Sequence, residues 1–401
     1  MRASRATLWC LLLSLIGIGL CGYLTFLHLG LMRGELLGGA ACGGSATSPL
    51  NCHAVTSGRW GSVLGMPLAL WGIVGYVGVF ALSLLGRQST QWATHTLTLL
   101  VLLSAAFVAV DAVLLGVMVI AIRYYCVFCL LTHLVNLSLL VVSARALGQP
   151  AGQVIGQSGA AVGALIPSSQ RPAAGLFWGV IAVGLLGVFG VHLGTHFVIR
   201  GTVRGARQQI REFFSKQPRV SVDIADDPAL GEPGAALRLV EFSDFLCPAC
   251  QRASKLNRVI LAGHRRDVVF VFKHYPLDLS CNERIGRMVH PGACQLAAAS
   301  ECAHQQGKFW PLHDLIFERG HDYPIARLEG DVQGLGVDMA RFHACMDSGQ
   351  GMQAVKRDIA EAVKVGVGST PTYVLNGVTV TGGINPEAFE DFAAVLRENA
   401  N

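Results

Sequence analysis

The chain has 401 residues, of which 52% are hydrophobic and only 14% are charged. A soluble globular protein carries about 25% charged residues, so the composition argues against a wholly cytosolic enzyme. Residues 1–200 contain nine arginines and only two acidic residues, Glu35 and Asp111, whereas residues 201–401 contain 22 basic and 24 acidic residues. The first half therefore has the composition of a membrane domain and the second half that of a soluble domain. The overall net charge of +5 includes no basic block and gives no indication of nucleic-acid binding.

Five apolar stretches are long enough to cross a membrane, since a spanning helix needs about 20 mostly apolar residues. Their ranges are 8–32, 63–86, 94–122, 124–144 and 173–199. The first is too long for a signal peptide, whose apolar core has about 7–15 residues, and is interpreted as an uncleaved helix. We predict a flexible linker over 145–172, a connecting segment over 200–236 and a soluble domain over 237–401.

The order of the spans fixes which loops share a face, because successive spans alternate in direction. The loop 33–62, the start of the fourth span and everything after the fifth lie on one face, opposite the N-terminus and the linker. Arginine counts give only a weak orientation bias. Ten of the twelve cysteines fall on the shared face, while Cys10 and Cys21 are interpreted as buried apolar side chains. Disulfides persist outside the cytoplasm, so the shared face is predicted to be periplasmic and the N-terminus cytoplasmic.

Six cysteines on that face are candidates for redox-active pairs. They are Cys42 and Cys52 in the first loop, Cys126 and Cys129 at the start of the fourth span, and Cys247 and Cys250 in the soluble domain. The alternative is zinc ligation by the two Cys-x-x-Cys pairs. Neither pair has a second such pair or two histidines at zinc-finger spacing, which disfavours this alternative.

The soluble domain opens with an alternating strand pattern over 237–243, followed by Cys247-Pro-Ala-Cys250 and a helical pattern. A thiol at a helix N-terminus is stabilised as thiolate by the free N–H groups and the helix dipole. Cys247 is therefore the predicted nucleophile, and Cys250, one turn inside, the predicted resolving thiol.

Residues 237–399 resemble a DsbA-type thioredoxin-fold oxidoreductase in the Leu-Val-Glu-Phe strand before the Cys-Pro-x-Cys motif, the helical insertion and Thr370-Pro371. The resemblance implies that Pro371 is cis and faces the active-site sulfurs. It also implies that Glu241 is a buried proton acceptor for the inner cysteine, the alternative being an exposed carboxylate. DsbA itself has histidine where this chain has Ala249, so we expect a less oxidising pair.

The remaining four cysteines are expected to be structural. Cys302 and Cys345 resemble an accessory disulfide of this subgroup, and Cys281 and Cys294 would form another. Sequence alone leaves three connectivities for these four residues.

The membrane half resembles the vitamin K epoxide reductase family, in its bacterial members fused to a thioredoxin-like domain. The resemblance rests on four closely spaced spans, the loop cysteines, the segment Trp60–Pro67 and the Cys-x-x-Cys of the fourth span. It implies that Cys42 and Cys52 shuttle electrons, that Cys126 receives them and that Cys129 faces a quinone.

Three further residues are candidate quinone-binding residues. Ser62 matches the family's loop serine or threonine. His133 lies one helical turn after Cys129, where the vertebrate enzymes have tyrosine, and its alternative is a packed membrane histidine. Asp111 is the only acidic residue inside a predicted span, and intramembrane acids are costly and often functional.

The predicted protein is a polytopic α-helical membrane protein, with a four-helix bundle plus a fifth span, and a C-terminal α/β thioredoxin-fold domain. The resemblances imply a thiol oxidase of a bacterial inner membrane that oxidises reduced or unfolded secreted proteins and passes electrons to ubiquinone or menaquinone. No metal, flavin or nicotinamide is expected. The alternatives are the same relay run as a disulfide reductase or isomerase system, a vitamin K (epoxide) reductase, and a metal-binding or chaperone-like membrane protein.

Overall fold

The computed structural model of the protein describes nearly the whole chain. The described ranges are 2–33, 35–42, 49–57, 60–64, 66–167, 172–195, 203–264 and 266–398. Residues 196–199, the end of the predicted fifth span, lie outside them. The chain divides into two units, one formed by Met1–Leu31, Leu37–Cys42 and Pro49–Val203, and the other by Met32–Leu36, Gly43–Ser48 and Arg204–Asn401.

The first unit is helical. Its helices are α1 (Arg2–Met32), α2 (Cys52–Thr56), α3 (Leu68–Leu85), α4 (Thr90–Gly116), α5 (Val127–Leu147), α6 (Ala151–Ala164) and α7 (Pro172–Thr195). A π-helical segment, Val117–Ile122, continues α4. Among the described residues five helices are long and apolar enough to cross a membrane, and they confirm the five predicted spans.

The second span begins later than its hydropathy indicates. Two short antiparallel strands, β1 (Ser62–Val63) and β2 (Met66–Pro67), precede α3 and occupy the first residues of the predicted 63–86 span. Pro67 precedes the first helical residue, where its missing N–H costs no helical hydrogen bond.

The segment 145–172, predicted as a flexible linker, is largely helical. It contains the end of α5 and all of α6, whose Val154, Ala161 and Ala164 are buried. These three apolar side chains recur at helical spacing, but the glycines and glutamines between them conceal the pattern. Packing of that one face accounts for a helix where the composition indicates a linker.

A close approach between α3 and α7 requires a glycine. A Cβ atom at Gly184 would lie 2.5 Å from Cγ1 of Val77, which is well inside van der Waals contact. Small residues let membrane helices approach closely, so Gly184 places the fifth span against the second.

The second unit contains a five-stranded sheet with helices around it. The strands are β3 (Ala229–Gly231), β4 (Leu237–Ser243), β5 (Val268–His274), β6 (Thr372–Leu375) and β7 (Val378–Thr381). Their order is β3-β5-β4-β6-β7, with β4 parallel to β5 and the other pairs antiparallel. The helices are α8 (Val203–Lys216), α9 (Pro248–Gly263), α10 (Ala293–His304), α11 (Phe309–Arg319), α12 (Leu328–Gly334), α13 (Met339–Asp347), α14 (Gln350–Lys364) and α15 (Pro386–Glu398). This is the predicted α/β thioredoxin fold.

The second unit begins before Leu237, the predicted first residue of the soluble domain. Phe214 of α8 is 2% exposed and packs on Phe392, with ring centroids 5.6 Å apart. Strand β3 pairs with β5, placing Ala229 opposite Val271. All three residues of β3 are exposed, so they lack the alternating pattern by which a half-buried strand is recognised.

Candidate active site

The first cysteine pair lies in the loop between α1 and α3. Cys42 ends a 3-10 turn and Cys52 is the first residue of α2, and the two form a disulfide. Asn51 caps α2, because its Oδ1 accepts the N–H of Ala54 at 2.9 Å. Both cysteines are buried, at 2% and 0% exposure.

Backbone hydrogen bonds attach this loop to the start of α5. The N–H of Asn51 donates to the carbonyl of Tyr125 at 2.9 Å, and the N–H of Tyr125 donates to the carbonyl of Pro49 at 2.8 Å. A cysteine follows each of the two bonded segments directly: Cys52 comes after Asn51, and Cys126 comes after Tyr125.

Cys42, Cys52 and Cys126 accordingly share one buried apolar cluster with Leu24 and Leu27 of α1. A second disulfide joins Cys126 to Cys129. Cys126 is the N-cap of α5, and its Sγ accepts the N–H of Cys129 at 3.1 Å. The two disulfides thus lie in one apolar environment. Thiol–disulfide exchange between the two cysteine pairs requires such proximity.

Cys129 also lines a cavity of about 360 Å³ among the membrane helices. Most of the wall is apolar, with side chains from α1, α3, α4 and α5. Asp111 and His133 line it with Cys129, which brings three of the sequence-predicted residues together. Ser62 lies beside the cavity rather than on its wall: its neighbours Trp60 and Gly61 are lining residues, and Ser62 pairs with Pro67 in the β1–β2 hairpin.

Asn136 and Tyr76 are polar residues of the cavity wall that sequence reasoning missed. The Asn136 amide donates to Asp111 at 2.9 Å, and the Tyr76 hydroxyl donates to Asn136 at 2.7 Å. His133 Nε2 lies 3.4 Å from the Asp111 carboxylate. Asn136 lies seven residues after Cys129 on α5, a spacing that could have revealed it, whereas Tyr76 on α3 carries no local signal.

The third pair lies where β4 meets α9. The N–H of Cys247 donates to the carbonyl of Asp244 at 3.1 Å, and the turn places Cys247 at the N-cap of α9, with Pro248 as the first helical residue. Cys247 and Cys250 are free thiols, 7% and 0% exposed. The Sγ of Cys247 lies 3.6 Å from the carbonyl oxygen of Thr370.

The two thiols have opposite electrostatic environments. The Cys250 thiol, together with the backbone N–H groups of Cys250 and Ala249, hydrogen-bonds to Cys247 and lowers its pKa to about 5. Burial raises the pKa of Cys250 well above its usual range. Cys247 is therefore a thiolate at neutral pH and Cys250 keeps its proton, a division suited to a nucleophile and a resolving thiol.

Glu241 lies inside β4 and is 1% exposed, so the alternative of an exposed carboxylate does not hold. It accepts hydrogen bonds from the Ser243 hydroxyl at 2.8 Å and the Asn257 amide at 2.6 Å. Burial raises the pKa of Glu241 to about 7 although both bonds oppose the shift. Pro371, also predicted, follows a cis peptide bond with Thr370.

The other four cysteines form the two disulfides that the resemblance implies, Cys281–Cys294 and Cys302–Cys345. Cys281–Cys294 links the loop before α10 to that helix, and Cys302–Cys345 links α10 to α13.

Comparison with known families assigns both halves of the chain. Residues 8–144 match the model of the Vitamin K epoxide reductase family, and residues 224–394 match a thioredoxin family model.

Similar solved structures are thioredoxin-like proteins of low identity. BdbD from Bacillus subtilis is 22% identical, with 45% of this chain and 98% of that chain covered and a TM-score of 0.38. The α-DsbA1 of Wolbachia pipientis is 18% identical, with 45% and 94% covered and a TM-score of 0.38.

The similar curated proteins are Na(+)/H(+) antiporters. NhaA of Herminiimonas arsenicoxydans is 35% identical over 161 residues, and NhaA 3 of Salinispora tropica is 33% identical over 177 residues. The matches cover 40% and 44% of this chain but only 24% and 25% of the antiporters. The chain thus spans about a quarter of the length of these relatives.

The five apolar helices and the cysteine pairs define a membrane protein with thiol–disulfide sites in both of its units. Residues 8–144 match the vitamin K epoxide reductase family, and residues 224–394 match a thioredoxin family. Both are thiol–disulfide oxidoreductase families, which supports an oxidoreductase.

Proposed function

We propose that the chain is a quinone-dependent thiol oxidase that generates disulfides in secreted proteins. The observation that carries the proposal is the apolar cluster in which the Cys42–Cys52 and Cys126–Cys129 disulfides lie together, with Cys129 on a cavity wall. Electrons pass from substrate thiols through three cysteine pairs to a quinone. In order, these are Cys247 and Cys250, Cys42 and Cys52, and Cys126 and Cys129.

The first exchange takes place in the thioredoxin-family domain. With the Cys247–Cys250 pair oxidised, a substrate thiolate attacks Sγ of Cys247, and the bond to Cys250 breaks. Cys250 leaves with both electrons of that bond and takes a proton from Glu241. A second substrate thiolate then attacks the mixed disulfide and displaces the Cys247 thiolate, which leaves the substrate oxidised and the pair reduced.

The reduced pair is reoxidised by the membrane unit. The Cys247 thiolate attacks the loop disulfide Cys42–Cys52, which forms a mixed disulfide and releases one loop thiolate. Cys250 passes its proton to Glu241, attacks Sγ of Cys247 and displaces the second loop thiolate, so the Cys247–Cys250 disulfide is restored and the loop pair is reduced. The loop dithiol reduces Cys126–Cys129 by the same two displacements and is itself reoxidised. Their shared apolar cluster and the backbone bridge at Tyr125 support direct exchange between the last two pairs.

The cavity beside Cys129 fits a quinone ring, since small-molecule sites are concave and mostly apolar with a few placed polar groups. His133 and Asn136 would orient its oxygens, Asp111 would hold these two side chains in place, and Ser62 lies beside the cavity. A bound quinone supplies a two-electron acceptor at this position. His133 and the Asn136 amide carry polar hydrogens close to the wall that holds Cys129, and the Asp111 carboxylate accepts from Asn136 and lies 3.4 Å from His133.

We assign the chain to a bacterial inner membrane, with the N-terminus in the cytoplasm and the thioredoxin-family domain in the periplasm. Its partners are reduced or unfolded secreted proteins and the ubiquinone or menaquinone of the bilayer. The five spans and the placement of all proposed relay cysteines on one predicted face support this orientation.

Quinone reduction by the purified full-length protein tests the function. A reduced unfolded protein is the electron donor, and the ultraviolet absorbance of the quinone is followed. Cys129→Ser should abolish quinone reduction, yet its oxidised Cys247–Cys250 pair should still accept electrons from one equivalent of substrate. Cys247→Ala should abolish oxidation of the protein substrate but leave oxidation of a small dithiol through the loop pair.

Cys10→Ala is the matched control, since Cys10 is a buried free thiol in α1 and should leave the rate unchanged. Wild-type quinone reduction in Cys129→Ser would show that electrons leave by another route. Vitamin K epoxide reduction without protein oxidation would replace the proposed function by the alternative.

A further inference from the structure

Asp244 links the Cys247 turn to a histidine 46 residues further along the chain. Its side chain is fully buried, and Oδ1 accepts the N–H of Leu246 at 2.7 Å. Oδ2 accepts the N–H of Leu277 at 2.6 Å and lies 2.8 Å from Nδ1 of His290. The backbone carbonyl of Asp244 accepts the N–H of Cys247. One residue therefore holds both the nucleophile and the imidazole.

The backbone around His290 is fixed as well. The N–H of His290 donates to the carbonyl of Leu277 at 2.8 Å, and its carbonyl accepts the N–H of Ala293 at 3.1 Å at the start of α10. The disulfide Cys281–Cys294 closes the loop that contains it. The imidazole thus has a defined position beside the Cys247 turn.

Two carboxylates near His290, those of Asp244 and Asp278, have different partners. Asp244 and Cys247 are the ionisable groups that act on His290 from the turn before α9. Asp278, on the same loop as His290, binds instead to the N–H groups of Ser280 and Gly292. The Asp244 carboxylate therefore has the imidazole as its charged partner.

We propose that His290 is a positioning residue whose positive charge, held in place by Asp244, stabilises the thiolate of Cys247. It supplies from another element the imidazole that the Cys-Pro-Ala-Cys motif lacks at Ala249. The inference rests on the proposed role of Cys247 as the exchanging thiol. It also revises the expectation, drawn from Ala249, of a less oxidising cysteine pair. A motif without histidine can still have a cation beside its nucleophile.

Electrostatic reciprocity supports this role. The Asp244 carboxylate raises the pKa of His290, and the Cys247 thiolate raises it further. An interaction that favours the imidazolium when the thiolate is present favours the thiolate by the same free energy when the imidazolium is present. His290 is therefore charged through the pH range near 5 in which Cys247 ionises.

The alkylation rate of Cys247 as a function of pH tests the proposal. The reduced full-length protein is treated with iodoacetamide between pH 3.5 and 8.5, and fragment mass spectra separate the Cys247 label from that of Cys250. In the wild type the midpoint should lie at about pH 5. His290→Asn should raise the midpoint by about one pH unit, the low end of the effect of a nearby opposite charge.

Two further variants separate charge from packing. His290→Lys keeps a cation and should keep a midpoint close to that of the wild type. His264→Asn removes another histidine–carboxylate pair of the domain, with Glu390 at 2.9 Å, and should leave the midpoint unchanged. If His290→Asn does not fold, as judged by circular dichroism, His290→Gln is compared with His290→Lys instead.

An unchanged midpoint in the folded neutral variant, or equal shifts in the neutral and lysine variants, would overturn the role of His290. The labelling requires no quinone and no protein substrate. A wild type that fails to reduce quinone would thus refute the proposed function and leave the His290 result intact, and the reverse holds as well.

Discussion

At the scale of single residues, the proposed mechanism has Glu241 exchange a proton with Cys250. It is buried inside β4, and the hydrogen bonds it receives from Ser243 and Asn257 come from neutral groups. Its charge also raises the pKa of Cys250. With its pKa raised to about 7, Glu241 is protonated in mildly acidic solution and able to donate when Cys250 leaves as a thiolate.

Glu241→Gln should slow the oxidation of substrate by the oxidised Cys247–Cys250 pair about 100-fold at pH 6, a typical loss for removal of a general acid. The pKa of Glu241 is raised, so the acid form prevails below about pH 7 and is lost above it. The ratio of wild-type to variant rates should therefore fall towards one as the pH rises from 6 to 9. Both rates are measured by single-turnover stopped-flow with a reduced peptide as the substrate.

Glu390→Gln is the control for this ratio, because Glu390 binds His264 at the far end of α9. Its rates should follow the wild type at every pH. A ratio for Glu241→Gln that stays constant across this range would show that Glu241 does not donate the proton.

At the scale of elements, two helices present cysteines at their N-termini in different ways. On α9 the N-cap Cys247 is a free thiol. On α5 the N-cap Cys126 is buried, and its disulfide partner Cys129 lines the membrane cavity. In the proposed relay, the same motif would exchange with substrate proteins in one unit and towards the bilayer in the other.

The loop that carries Cys42 depends on a glycine. Gly38 has φ +92°, a conformation that costs about 1–2 kcal/mol for a residue with a side chain. A Cβ atom there would also lie 2.9 Å from Cβ of Cys42 and 3.2 Å from Leu27. The adjacent Gly39, at φ +54°, has no neighbour within 4 Å of its Cβ position.

Gly38→Ala should therefore displace Cys42 and slow electron entry through the loop pair about tenfold, which corresponds to about 1.4 kcal/mol. Gly39→Ala is the matched control and should cost less, since it adds only backbone strain. The measurement is quinone reduction by dithiothreitol in a Cys247→Ala background, where the loop pair receives the electrons directly. Equal rates in the two alanine variants would mean that the contact with Cys42 is unimportant.

Local patterns predicted the spans, the Cys-x-x-Cys helices and the β4 strand, because each is encoded by a run of neighbouring residues. They did not reveal α6, whose three buried residues are diluted by glycine, or β3, whose residues are all exposed. The site shows the same division. Cysteine spacing revealed the pairs, whereas Tyr76 and His290 join their sites only through contacts distant in the sequence.

At the scale of the whole molecule, the proposed relay requires all its cysteines on one side of the membrane. Disulfide exchange needs direct contact between sulfurs, so pairs on opposite faces cannot exchange. In the proposed topology, an odd number of spans between the N-terminus and α8 puts Cys247 on the side of the first loop. The fifth span decides this, since without it the thioredoxin-family domain would share the side of the N-terminus.

A membrane-impermeant maleimide applied to intact cells tests this orientation after a brief reduction. Cys247, a thiolate at neutral pH, should be labelled in intact cells, because the proposed topology of five spans puts it outside the cytoplasm. Gln153→Cys supplies the opposite control: it introduces a thiol at an exposed position of α6, between the fourth and fifth spans, and should be labelled only after lysis. Peptide mass spectrometry identifies each site. Labelling of Cys247 only after lysis would place the domain in the cytoplasm, separate it from the loop pair and end the relay.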